Sequence, residues 1–253
     1  MVEKHEKHMR RFGLIGKNIS YSFSRNYFKN KFETEKIENA IYENFDIAHI
    51  TLFKTRLKQE NTIKGFNVTI PYKESIIPYL NKLNKKAKAI GAVNTIRINK
   101  KGEYIGYNTD YYGFKKSLKP FLKPHHKKAL ILGTGGASKA IAYTLKTLRI
   151  EYTFVSRNIS KKAKYSYNTL SNAVIESHQI IINCTPLGTF PEVNVCPNIP
   201  YQAINKEHIL FDLIYNPSET KFLKLGRQKK ATLINGEQML RFQAEKSWKI
   251  WNK

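Results

Sequence analysis

The stretch from Ala129 to Ala140 constrains the fold more than any other: an apolar strand, Ala129 to Leu132, runs straight into Gly133, Thr134, Gly135 and Gly136, and a helix opens at Ala137 and Ser138. Gly133 and Gly135 can take backbone angles closed to other residues. Their missing side chains leave room for a pyrophosphate against the first N–H groups of the helix, where the dipole favours negative charge. Strand, phosphate-sized turn and helix in that order belong to a doubly wound α/β sheet, and a dinucleotide is the natural guest. A second apolar run, Tyr152 to Val155, ends about 20 residues after the turn, where such a fold reads the adenosine ribose. No acid stands there. Ser156, Arg157 and Asn158 follow instead, and a guanidinium suits a 2′-phosphate, so the expected guest is NADP(H) rather than NAD.

At 253 residues and 41% hydrophobic, the chain can bury one large core or two modest ones, and its length leans to two domains. No apolar run reaches the length of a membrane span, and Met1 to Met9 carries charges where a secretion signal needs an apolar core. A cytoplasmic protein without membrane contact is expected. His5 and His8 in that leader read as solvent-exposed, and Cys184 and Cys196 make neither a metal-ligand spacing nor a disulfide framework, so no metal is expected. The net charge of +25 raises the question of nucleic acid. The lysines are scattered, however, as at Lys82, Lys85, Lys86 and Lys88, at Lys127 and Lys128, and at Lys161, Lys162 and Lys164. With no zinc-finger spacing, aromatic RNA-binding box or helix-turn-helix beside them, the excess reads as compositional, and no specific nucleic-acid partner is expected.

The first part alternates strands and helices: strands at 12–16 and 40–45, a helix at 24–35, and a second helix from Asp46 as N-cap to Lys58. A short strand at 65–68 breaks at Pro71, and 93–98 with 103–105 forms a hairpin. A helix follows from Asp110 to Leu118, and the prolines at 120 and 124 mark a connection to the nucleotide-binding unit. Later strands are predicted at 179–183, 209–214 and 231–234, with a final helix at 237–251. The pattern is α/β, with a mixed, mainly parallel first sheet.

Three polar clusters lie at ends of predicted strands, where open α/β sheets bind ligands. Ser22 and Ser24 can turn two hydroxyls to one carboxylate, while an N-cap role accounts for Ser24 equally well. Asn67 and Thr69 alternate onto one side, and Lys73 follows a turn fixed by Pro71; a lysine there acts as acid or base if desolvated, or is surface decoration. Asp110 either caps the next helix or pairs with Lys73.

These motifs, with Gly91 to Thr95, Gly106 to Asp110, Asn183 to Gly188 and Gln243, resemble the shikimate dehydrogenase family over nearly the whole chain. The resemblance implies reversible NADPH-dependent reduction of 3-dehydroshikimate to shikimate, a step toward chorismate and aromatic amino acids, by a monomer or homodimer acting on a small molecule. It implies Lys73 as catalytic acid/base with Asp110. Ser22 and Ser24 would hold the substrate carboxylate, Asn67, Thr69, Asn94, Asp110 and Gln243 would serve the substrate pocket, and Tyr215 would stand at its edge. The cofactor would meet Gly133, Thr134, Gly135, Gly136, Ala137, Ser156, Arg157, Asn158 and Lys161, then Asn183, Thr185, Pro186 and Leu187, and finally Gly236 and Met239. The implied fold has a substrate domain at 1–109, completed by 235–253 through the C-terminal helix, and a Rossmann-type domain at 110–234. Departures are Ser156 and Asn158 beside Arg157, Arg25 after the serine pair, and Gln238 in the segment 235–239 where a glycine is common. A quinate/shikimate dehydrogenase using NAD or both cofactors is the close alternative, and a basic nucleic-acid-binding protein on a Rossmann scaffold the distant one.

Overall fold

A computed structural model describes residues 9–20, 22–57 and 62–253. The expectations for His5, His8 and a helix reaching Lys58 fall outside them. The chain forms two compact units, one of residues up to Thr109 together with Ser247–Lys253, the other Asp110–Lys246.

In the first unit the elements are β1 (Arg10–Gly16), α1 (Phe23–Thr34), β2 (Ala40–Asp46), α2 (Leu52–Leu57), β3 (Ile63–Val68), β4 (Lys82–Leu83), α3 (Lys85–Ile90), β5 (Thr95–Ile98) and β6 (Tyr104–Tyr107). They build a mixed sheet in the order β2-β1-β3-β5-β6-β4. β1 runs parallel to β2 and β3, and β5 is antiparallel to β3 and β6. The antiparallel turn is set locally: the Asn99 side chain accepts from the amides of Lys101 and Glu103 at 2.9 and 3.0 Å. One face of the sheet buries Ile15, Phe66, Val68 and Ile96. The other is aromatic, with Phe12 stacked on Trp251 at 4.9 Å, Phe28 on Tyr42 at 4.6 Å, and Phe32 against Trp248 at 5.2 Å. Both tryptophans come from the far end of the chain.

Asp46 behaves differently from its predicted N-cap role. It ends β2, and its carboxylate accepts from the amides of Asn18 and Ile19 at 3.0 and 3.1 Å, so α2 begins only at Leu52.

The second unit holds α4 (Asp110–Leu118), β7 (Lys128–Leu132), α5 (Gly136–Thr147), β8 (Glu151–Ser156), β9 (Tyr165–Ser166), α6 (Asn172–Glu176), β10 (Ile180–Asn183), β11 (Ile209–Asp212), α7 (Lys221–Gln228), β12 (Thr232–Ile234) and the part of α8 (Glu237–Trp251) that precedes Ser247. Its sheet is parallel throughout, in the order β12-β11-β10-β7-β8-β9. Successive residues of β7 feed opposite cores. Ala129 and Ile131 pack with Phe114, Ile141 and Phe211, whereas Leu130 and Leu132 pack with Ile175, Phe222 and Leu223. With helices covering both faces and the first strand central, this is the Rossmann arrangement, and its switch point lies between β7 and β10.

The predicted return of the chain at residue 235 needs correction. Residues 235–246 belong with the second unit, because Gly236 donates its amide to the Ile214 carbonyl at 2.9 Å and Met239 joins the Phe114 core. Only Ser247–Lys253 complete the first unit.

Candidate active site

In the first unit the predicted residues gather around a buried polar cluster. Asn67, 4% exposed at the end of β3, accepts from the Tyr42 hydroxyl at 2.8 Å. Its amide donates to the Asn94 carbonyl at 3.1 Å and to Ser247 Oγ at 3.0 Å. Asn94 Oδ1 in turn accepts the Thr109 amide at 2.6 Å. Between the two asparagines stand three hydroxyls, Thr95, Thr109 and Ser247, separated by 2.8 to 3.3 Å, in which either atom of each pair can donate. Asn67 and Asn94 were legible in the sequence. Thr95 and Thr109 stood inside the quoted motifs without a role of their own, and Tyr42 and Ser247 were not marked, because a tyrosine in a strand and a serine in a helix carry no local sign of a shared site.

Ser22 and Ser24 are both 8% exposed. Ser22, rather than Ser24, is the N-cap of α1, accepting from the Arg25 amide at 3.2 Å. The cap uses a lone pair, so the Ser22 O–H still has its hydrogen to donate. Ser24 interacts with Tyr42, whose phenol is held protonated chiefly by burial. Thr69 and Lys73 flank a cis Ile70–Pro71 bond. The turn is anchored by the Tyr72 amide on the Thr69 carbonyl at 2.9 Å and by the Val93 amide on the Lys73 carbonyl at 2.7 Å. Lys73 is half-buried. Asp110 is 5% exposed in the first turn of α4, so it and Lys73 stand in different units.

In the second unit the glycine turn follows β7. Gly133 has φ +101°, a region that favours glycine, and lies against Thr185 and Cys184 of the turn after β10. Among the described residues no side chain caps α5, and a Cβ placed on Gly135 would meet no atom within 4 Å. The turn formed by Gly133, Thr134, Gly135, Gly136 and Ala137 therefore presents helix N–H groups to open space, which fits a pyrophosphate. Arg157, with Asn158, is exposed just beyond Ser156 of β8 and is paired with no carboxylate among the described residues, which fits a 2′-phosphate. Lys161 is exposed beyond Arg157, and its neighbour Lys162 reaches the glycine turn. The Ser160 side chain accepts from the Lys162 and Ala163 amides, and Lys162 Nζ donates to the Thr134 carbonyl at 2.9 Å.

Asn183 is fully buried, and its side chain is committed inward. Its amide donates to Asp212 at 3.0 Å, and its oxygen accepts from the amide and hydroxyl of Thr185 at 3.0 and 2.6 Å. Asp212 also accepts from the Thr220 hydroxyl at 2.6 Å and the Ile214 amide at 3.1 Å. Burial nevertheless pushes its carboxyl up to about 6. Asp212 thus ties the turn carrying Thr185, Pro186 and Leu187 to the segment leading to Tyr215. Sequence reasoning passed over it. Gly236 and Met239 are also structural in their contacts: a Cβ on Gly236 would overlap the Leu213 carbonyl, and Met239 is 7% exposed. Gln243, 6% exposed, lies where α8 crosses α4 at Gly113.

A family profile described as the shikimate dehydrogenase substrate binding domain matches residues 14–96. A shikimate dehydrogenase (NADP(+)) of Clostridium botulinum strain Hall is 40% identical, over 94% of this chain and 95% of its own. The crystal structure of shikimate dehydrogenase 1 from Peptoclostridium difficile superposes with a TM-score of 0.83 at 39% identity, covering 96% of this chain and 92% of that one. That of the Thermus thermophilus enzyme in complex with NADP(H) and shikimate gives 0.84 at 27% identity, covering 96% and 93%. Identity of this order along nearly the whole of both chains, together with a shared two-sheet architecture, makes the chain a member of the shikimate dehydrogenase family.

Proposed function

We propose that this chain reduces the ring ketone of 3-dehydroshikimate to shikimate, reversibly and with NADPH. The observation that carries the reading is the uncharged cluster of Asn67, Asn94, Thr95, Thr109 and Ser247, buried and mutually bonded in the first unit. A polyhydroxylated ring is recognised by such groups. Each hydroxyl of the cluster can exchange donor and acceptor roles, so a ring hydroxyl enters without leaving a buried polar atom unpaired. Asn67, Thr69 and Asn94 take ring hydroxyls in this reading. Ser22 and Ser24 donate to the carboxylate, helped by the N-terminus of α1. Asp110, Tyr215 and Gln243 complete the set of substrate partners in this reading.

NADPH, when bound, supplies the hydride. The glycine turn from Gly133 to Ala137 holds its pyrophosphate and Arg157 its 2′-phosphate, while Asn183 works through the turn it braces. Lys73 delivers a proton from Nζ to the oxygen on which charge develops, and in the reverse direction takes it back. Two free thiols, Cys184 and Cys196, support a reducing, cytoplasmic setting.

Lys73→Ala tests the assignment. Substrate affinity should change little, while turnover falls by about two orders of magnitude or more, the usual worth of acid/base catalysis. Near-normal turnover would remove Lys73 from its role. Shikimate and quinate oxidation with NADP+ and NAD+ in the same assay separates this reading from a quinate enzyme.

A further inference from the structure

A second concave site lies in the second unit at the other end of its strands from the glycine turn. Here β7 and β8 begin and α5 and α6 end, around a cavity of about 660 Å³. Four cations from separate elements line it: Lys128 opening β7, Lys146 in the last turn of α5, Arg149 just after that helix, and Lys164 before β9. Glu151 is the carboxylate among the lining residues, 3.9 Å from Lys128. Lys146 and Arg149 are paired with no carboxylate among the described residues. Each helix C-terminus contributes roughly half a negative charge. Glu151 and the two helix ends therefore leave about two positive charges uncompensated.

His178 is the independent observation. It is 9% exposed and lines the same cavity. Its Nδ1 lies 2.7 Å from the Val174 carbonyl, which can only accept, so Nδ1 carries the hydrogen. Nε2 has no hydrogen-bond partner among the described residues. Burial first, then Lys128 and Lys164, hold the imidazole below its ordinary pKa, opposed by the Val174 carbonyl and Glu151. An arriving anion reverses that balance.

We propose that this cavity binds the phosphate dianion of a small organic molecule, held by Lys128, Lys146, Arg149 and Lys164 with Nε2 of His178 as hydrogen-bond partner. The charge of a phosphate monoester, about −1.5 to −2 near neutrality, matches the uncompensated charge. The volume exceeds what a bare phosphate fills, and Tyr152 and Tyr165 supply walls for an organic body. The site is separate from the one that takes the cofactor's phosphates.

Calorimetric titration of the whole chain with inorganic phosphate and with ribose 5-phosphate, in saturating NADP+, tests this. Saturable binding of ribose 5-phosphate, tighter than that of inorganic phosphate, is expected; equal binding would reassign the site to inorganic phosphate and overturn the organic ligand. Arg149→Gly with Lys164→Ala should weaken binding at least about tenfold, since charge-assisted bonds are lost. Both positions are exposed, and Arg149 has φ +58°, where glycine fits, so the fold is retained. Arg157→Ala should leave this binding unchanged, which keeps its outcome distinct from that of the cofactor reading. Proton uptake on binding, measured in two buffers of different ionisation heat, should be larger in the wild type than in His178→Gln. No saturable heat, insensitivity to the double substitution, or displacement of the ligand by a short single-stranded RNA would overturn the proposal.

Discussion

Replacing Asp212 by asparagine isolates what a buried charge does to this fold. The carboxyl has no exposed surface, and burial lifts it from 3.8 to about 6, against the pull of its bonds from Thr220, the Ile214 amide and Asn183. Between those two pH values the folded protein keeps a proton that the unfolded chain has released, so stability falls as pH rises through the window. A shift of roughly two pKa units amounts to about 3 kcal/mol, present below about pH 4 and lost by about pH 7. The substituted side chain would keep the oxygen that accepts from Asn183 and Ile214, and lose only the Thr220 donation, worth about 1 kcal/mol. Asp212→Asn should therefore be more stable than the wild type at pH 7 by about 2 kcal/mol and slightly less stable near pH 4. Urea unfolding of both proteins at several pH values gives the difference directly, with other carboxylates cancelling. A stability difference that stays flat with pH would refute the reasoning.

Other substitutions probe separate features. Arg157→Ala should raise the KM for NADP+ about tenfold to a hundredfold and leave that for NAD+ unchanged, as loss of one charge-assisted contact requires; equal effects on both would remove the 2′-phosphate role. Gly65→Ala would put a Cβ into the Trp251 ring and break its 2.9 Å bond to the Ile96 carbonyl. Thermal unfolding followed by tryptophan fluorescence should show a loss of about 3 kcal/mol or more, the scale of losing a core tryptophan, and an unchanged midpoint would contradict the contact. Lys230 sits at φ +60° after α7, where a side chain is unfavourable. Lys230→Gly should stabilise the protein by up to about 1 kcal/mol in denaturant titration, and a destabilised variant would count against backbone strain there.

The second unit was legible because its signals are local. A continuous apolar run, a glycine turn and a helix lie within one short stretch of chain, and β7, α5 and α8 appear where the pattern puts them. The first unit was legible strand by strand but not as a site. Asp46 offered the chemistry of a helix cap, and two amides from the turn after β1 claimed its carboxylate instead, a choice made by tertiary contact. Ser247 bonds to Asn67 across 180 positions, and no local propensity announces such a pair. The two-residue strands β4 and β9 and the short helices α3 and α6 were missed, being too short for a periodic pattern to form. The contact of Lys162 with the glycine turn is set by the Ser160 turn, which residue spacing does not announce.

Because Ser247, Trp248 and Trp251 pack into a unit whose other residues precede position 110, vectorial synthesis leaves that unit unfinished on the ribosome. As the nascent polypeptide emerges, Phe12, Phe28 and Tyr42 must wait with one face uncovered while the later Rossmann sheet is translated. The half of this chain that is made first is thus the last to close.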